Sequence, residues 1–246
     1  MARTAYFDPP LPRVFAHRGL SQHRTDIDEN SLVAFEQAIR HGATHIESDV
    51  HATKDNVAVL FHDQDLRRVA GINSKISSLT FAELSAISLL NGSKIPSLAQ
   101  GLELGVRLNL DIKSHRAIEP TVSEIERFQA HDRVLVSSFS SRRRRRALEI
   151  LSQPVATSAS MREVLLAYLS HQLGGIGFAA IAKNIDAFQI PPSRGPIRFA
   201  SESFIGRAKS HGVETHFWTV NERDEMARLL GIGADGIVSD RIDLLS

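Results

Sequence analysis

Short β-branched or apolar runs alternate with stretches of helical period from one end of the chain to the other, the pattern of a parallel sheet with crossover helices. Eight runs read as strands: 13–17, 44–50, 107–113, 133–138, 154–157, 186–190, 214–220 and 236–240. Helical candidates lie between them. SLVAFEQAIRHG puts Leu32, Phe35, Ala38 and Ile39 on one face and closes at Gly42, and ERDEMARLLGIG precedes the last strand. Eight strand and helix units in 246 residues predict an α/β chain folded as a single (β/α)8 TIM-type barrel over residues 1–246, a fold whose usual length is near ~250 residues.

One interval, about 51–104, is too long for a simple crossover and reads as a small insertion after the second strand. Only six residues separate Val50 from the strand-like VAVLFHD, whereas a parallel connection needs roughly a dozen, so this run is expected to return antiparallel. Asp55 and Asn56 tolerate the positive φ angles of a tight turn. A two-residue turn there would set Asp49 opposite His62, with Cβ atoms about 4.5–5.5 Å apart, and a longer loop or a bulge would slip that register. LTFAELSAI and SLAQGLELG read as small helical pieces over the barrel mouth.

Composition narrows the function classes. The 29 basic and 28 acidic side chains give a formal net charge of +1, so no global field draws the chain to nucleic acid or an anionic membrane; such an attraction would have to be local. The arginines from Arg142 to Arg146 step around a helix and are expected on a solvated outer helix, the first of them near the mouth. Cysteine is absent, which excludes disulfides, thiolate metal sites and a cysteine nucleophile. No apolar leader and no run of ~20 apolar residues is seen, so a cytoplasmic protein without stable membrane insertion is expected.

Chemistry-capable residues interrupt the strands where they end: His17, Glu47 and Asp49, Asp111 and Lys113, Ser137, Trp218 and Asp240. Barrel enzymes work at that face, and residues two apart on a strand point to the same side. Asp49 and Asp111 could pair with Lys113 and nearby arginines in a structural ion network. Alternatively, three converging acids, Glu47, Asp49 and Asp111, would hold one hard divalent cation, Mg²⁺ or Ca²⁺ rather than zinc. His17 or His62 alone could be a satisfied core histidine; facing each other across a carboxylate cluster they could serve as general base and general acid. Trp218, the only tryptophan, is either an apolar wall of the site or core packing, and Asp240 is expected to orient loop amides or Arg241.

AHRG (16–19), ENS (29–31), IESDVHATKDNVAVLFHD (46–63), LNLDIK (108–113), SFS (138–140), WTVN (218–221) and DGIVSD (235–240) together resemble the glycerophosphodiester phosphodiesterase family, in the family's order and over nearly the whole chain. The resemblance implies a (β/α) barrel with an insertion after the second strand. It also implies one divalent cation, and hydrolysis of a small-molecule glycerophosphodiester to sn-glycerol 3-phosphate and an alcohol. His17 and His62 match the family's acid/base histidines, Glu47 and Asp49 its metal ligands, and Arg18 and Lys113 positions near the phosphate. Two positions depart from it: the third ligand is more often glutamate where this chain has Asp111, and Pro-Glu-Asn-Thr is here Asp28-Glu29-Asn30-Ser31, in which Asn30 or Ser31 caps the next helix. A lysophospholipase D acting on lysolipids is the alternative within the same chemistry; it needs an apolar rim, which ISLLNGSKIPSL could supply. A non-catalytic phosphate-ligand binding barrel is the alternative outside it.

Overall fold

The computed structural model describes residues 4–21 and 26–245. Strands β1 (Arg13–His17) and β2 (His45–Ala52) are followed by a short β3 (Ala58–Leu60), then by β4 (Arg107–Ile112), β5 (Val134–Ser137), β6 (Ala156–Thr157) and β7 (Ala187–Ile190). A two-rung hairpin, β8 (Ser193–Arg194) and β9 (Ile197–Arg198), leads to β10 (Glu214–Phe217) and β11 (Gly236–Ser239). The parallel strands run in the order β6, β5, β4, β2, β1, β11, β10, β7, and a parallel bridge between Ser158 and Ala187 joins the two ends into the expected barrel. Helices α1 (Leu32–Arg40), α2 (Arg67–Ala70), α3 (Phe81–Ala86), α4 (Leu98–Glu103) and α5 (Ile118–Arg127) accompany the first half. The second half carries α6 (Ser141–Ile150), α7 (Met161–Gln172), α8 (Phe178–Ala182), α9 (Glu202–Ser210) and α10 (Arg223–Gly231). Among the described residues no helix is long and apolar enough to cross a membrane.

Strand periodicity sorts the side chains into two layers. Outward residues Ile46, Val50, Leu108, Leu110, Ile112 and Val136 meet Phe35, Leu102, Ile125 and Ala147 of the helices in one core. Phe188, Phe217 and Ile237 meet Phe178, Phe204 and Leu229 in another. Ser31 caps α1 by accepting from Ala34 N at 3.1 Å, which turns Phe35 and Ala38 inward; Ile39, expected in the core, is instead an exposed position.

Inward residues are less uniformly apolar. Tyr6 and Phe7 close the barrel base against Phe15, Leu135, Ala156, Ala187 and Val238. Beside them Arg13 makes a bidentate pair with Glu214, Nε to Oε2 and Nη2 to Oε1 both at 2.7 Å, and His216 Nε2 meets Glu214 at 2.8 Å. His45 stacks on Phe15 with centroids 4.6 Å apart. Fully buried charges of this kind hold together because each is paired and hydrogen-bonded.

The hairpin differs from the expectation by one residue. Val50 pairs with Leu60, His51 with Val59 and Ala52 with Ala58, so Phe61, whose N–H donates to the Asp49 carbonyl at 2.9 Å, lies beside Asp49 in place of His62. The loop holds three residues instead of two: Asn56 adopts φ 62°, and Thr53 N donates to Val57 O at 3.0 Å, the arrangement of a turn followed by a left-handed residue. Thr53 Oγ1, bonded to Asp55 at 2.6 Å, fixes it. Of the two helical pieces expected over the mouth, α4 buries Leu98 and Leu102 in the outer core as the crossover into β4. α3 joins α2 in a small satellite core around Phe61, Leu66, Ile76 and Leu84, and neither helix lines the main cleft.

Candidate active site

A cavity of about 620 Å³ opens at the C-terminal ends of the strands, and His17, Arg18, Glu47, Asp49, His62, Asp111, Lys113 and Trp218 all line it. The strands explain the convergence. Parallel register sets Glu47 beside Asn109 and Asp49 beside Asp111, so two pairs spaced i, i+2 on adjacent strands deliver their side chains to one side.

His17 ends β1. Its Nδ1 lies 2.7 Å from Asp240 Oδ1, and Asp240 is held by Asn221, whose Nδ2 donates to Oδ2 at 2.8 Å and whose Oδ1 accepts from the Asp240 N–H at 3.0 Å. Asp240 therefore orients His17, whereas Arg241 pairs with Asp243. A carboxylate can only accept, so Nδ1 carries the proton and Nε2, 3.8 Å from Glu47 Oε2, faces the cleft. Burial lowers the imidazole pKa, but the Asp240 hydrogen bond and the charges of Glu47 and Asp240 outweigh it and hold it above the ordinary histidine value. Burial opposes the Asp240 carboxylate as well, yet the His17 bond holds its pKa below the usual range.

His62 has a matching clamp. Its Nδ1 is 2.6 Å from Asp63 Oδ1, and Asp63 accepts from Arg68 Nε at 2.7 Å. Arg68 also binds Glu29, which accepts from Arg18 Nη1 at 3.1 Å. A chain of ion pairs thus ties the insertion that carries His62 to the loop that carries Arg18. Within that loop Arg18 and Gly19 adopt φ 55° and 85°, and a Cβ on Gly19 would come within 2.7 Å of Ala34 Cβ.

Glu47 is the most strained acid of the group: burial first, then the Asp49 charge, pushes its carboxyl up to about 7. Lys113 Nζ lies between Asp49 Oδ1 at 2.6 Å and Asp111 Oδ2 at 2.7 Å. Burial opposes the ammonium, but both carboxylates hold its pKa above the ordinary lysine value. Trp218 lines the cleft and packs on the barrel-interior cluster, with its ring 6.1 Å from Phe139.

Among the described residues no set of three or more His, Asp or Glu side chains is gathered tightly enough to chelate an ion, and Lys113 Nζ bridges Asp49 and Asp111. The donor chemistry nevertheless fits a hard cation. Glu47 Oε2, Asp49 Oδ2 and Asp111 Oδ1 are buried without a hydrogen-bond partner; His17 Nε2 at 3.8 Å from the first and Arg18 Nε at 3.6 Å from the second meet them only at longer range, which leaves oxygen donors of the kind a hard cation takes.

Sequence reasoning missed Asp63, Arg68, Asn109 and Arg143. Asn109 could have been found from the alternation that selected Asp111 two residues on. Arg143, with Nε 3.0 Å from Ser138 Oγ, acts electrostatically on Asp111 and is reached only through α6.

Residues 17–244 match the model of the glycerophosphoryl diester phosphodiesterase family. A Mycobacterium tuberculosis protein named probable glycerophosphodiester phosphodiesterase 2 is 40% identical over 94% of this chain and 88% of its own. Among solved structures, a glycerophosphodiester phosphodiesterase of Parabacteroides distasonis superposes with a TM-score of 0.70 at 26% identity, covering 93% of this chain and 92% of its own. An Oleispira antarctica phosphodiesterase, in complex with the product sn-glycerol-3-phosphate, has a TM-score of 0.78 at 23% identity, covering 98% and 97%.

Proposed function

The chain belongs to the glycerophosphoryl diester phosphodiesterase family, and from that premise we propose that its cleft hydrolyses glycerophosphodiesters with His17 and His62 as the acid and base. The observation that carries this is the doubled clamp. Two histidines line one cavity, each with Nδ1 bound to a carboxylate, Asp240 or Asp63, which leaves each Nε2 for proton transfer.

A phosphodiester is anionic and resists attack until its oxygens are neutralised. Arg18 and Lys113 stand in the cleft to meet that charge. Glu47, Asp49 and Asp111 would hold one divalent cation, Mg²⁺ or Ca²⁺, which when bound supplies positive charge to the phosphoryl oxygens. One histidine takes the proton of the attacking oxygen, and the other gives a proton to the departing alcohol. Trp218 and Phe139 supply an apolar wall for substrate carbons.

That wall supports a second reading. Met161, Val164, Leu165, Ile197 and Phe199 extend it, so a lysolipid could seat its chain there, on the side opposite the insertion. A panel of soluble glycerophosphodiesters and lysolipids, assayed for glycerol 3-phosphate release with Mg²⁺, Ca²⁺ or chelator, separates these readings. We expect turnover of the soluble diesters, abolished by chelation and restored by metal; turnover indifferent to chelation would remove the cation, and strict preference for lysolipids would install the second reading.

A further inference from the structure

We propose that the outer faces of α6 and α7 form a docking surface for an anionic phospholipid bilayer. Helix α7 inverts the usual pattern of a barrel helix. Its inner face buries Val164, Ala167 and Ser170, while Leu165, Leu166, Leu169 and Leu173 follow at helical spacing on the outside with 41, 43, 57 and 67% exposure. Ile176, in the glycine-rich turn that follows, is 80% exposed. The leucines run ~12 Å along the helix, a contiguous apolar stripe of a kind that marks an interaction site. It starts at the catalytic mouth, because Leu165 also lines the cleft.

The charges beside the stripe identify the partner. Successive residues of the arginine run do point in different directions: Arg144 is buried and bonds Ser160 Oγ at 3.3 Å, Thr157 Oγ1 at 3.2 Å and Glu163. That buried arginine locks α6 to α7. Arg142, Arg145 and Arg146, spaced i, i+3 and i+4, then share the exposed face of α6, and Arg162, exposed on the first turn of α7, precedes Leu166 and Leu169 by four and seven residues and so heads the leucine stripe itself. Arg194 and Arg198 are exposed on the β8–β9 hairpin, whose Arg194 Nη1 reaches Met161 Sδ at 3.3 Å. Among the described residues Arg142, Arg145, Arg162 and Arg198 have no carboxylate within ion-pair distance, and Arg146 has Glu149 at 3.9 Å.

Leucines flanked by unpaired arginines match acyl chains beneath anionic headgroups. A second copy fits less well. Of the acids on the two helices, Glu163 is engaged by Arg144 and Glu149 lies 3.9 Å from Arg146, so two such faces would set a surplus of arginines against one another.

Co-sedimentation of the full chain with vesicles of phosphatidylcholine, alone or mixed with phosphatidylglycerol, tests this without reference to catalysis. We expect pelleting with the mixed vesicles, weakening as salt rises, and little with phosphatidylcholine alone. Leu169→Asp combined with Leu173→Asp should lower the partition about tenfold or more while leaving the circular dichroism spectrum and the turnover of a soluble diester unchanged. Arg145→Glu combined with Arg162→Glu should lower it by a similar factor. Absence of binding at low salt would overturn the proposal, as would binding that the leucine variants leave intact. A dimer in sedimentation velocity that the leucine variants split would also overturn it, since a second copy would then cover this face.

Discussion

Each histidine of the cleft depends on a carboxylate that no substrate need touch. Asp240→Asn keeps the size of the side chain but removes its charge, and because Asn221 Nδ2 donates to Oδ2 the amide oxygen is drawn to Asn221 and the NH2 group is turned toward His17 Nδ1, opposing the tautomer that carries its proton there; we expect turnover to fall by about 10 to 100-fold. Because Asp240 raises the His17 pKa, the variant's His17 should titrate at lower pH than the wild-type residue in an NMR titration. An unmoved titration would show that the bond does not set the histidine's state. Polar side chains at apolar strand ends revealed His17, Glu47, Asp49, Asp111 and Lys113. Glu29 and Asp63 stand in quoted motifs and Arg68 does not, but the roles of all three stayed hidden because those roles lie in contacts between distant segments.

Elements were legible where period and length agreed. The barrel strands and the capped α1 follow from alternation and from Ser31, while the hairpin register turned on a single left-handed residue, Asn56 at φ 62°, whose presence converts a two-residue turn into a three-residue one. α4 was misplaced for a related reason: an apolar helical piece reads alike whether it covers a mouth or packs on the outer wall. The turn after β1 offers the sharpest test at this scale. Gly19→Ala must hold φ 85° and force a Cβ within 2.7 Å of Ala34 Cβ and 2.8 Å of its carbonyl carbon. Urea unfolding should register a loss of more than about 1 kcal/mol, whereas a neutral outcome would mean the loop moves freely away from α1.

The barrel as a whole carries polar groups at both ends and is sealed at its base by aromatic rings. His45, wedged there with Nε2 donating to the Tyr6 carbonyl at 3.1 Å, has its pKa pushed down to about 3 by burial. The unfolded chain protonates this imidazole near ~6.5, so the unfolded state gains a proton first on acidification. Its contribution is complete above that value and is lost as pH falls toward 3. Between about pH 7 and pH 5 this imidazole by itself removes ~2 kcal/mol of stability, against an opposite contribution from Glu47, whose raised pKa makes the folded state bind its proton first. The stability difference between wild type and His45→Gln in urea titrations at the two pH values should therefore change by about 2 kcal/mol in the direction that favours the variant at pH 5. Fold class was legible from eight repeated units, but the polar base was not, since Arg13, His45, Glu214 and His216 find one another only after the sheet closes.

The account rests on two histidines acting on one phosphodiester. The most direct measurement is the rate at which wild type, His17→Ala and His62→Ala release sn-glycerol 3-phosphate from glycerophosphocholine with Mg²⁺ present. Each variant should be slower by roughly 10² to 10⁴-fold with an unchanged circular dichroism spectrum. Near wild-type release by either variant would remove that histidine from the chemistry and contradict the paired arrangement.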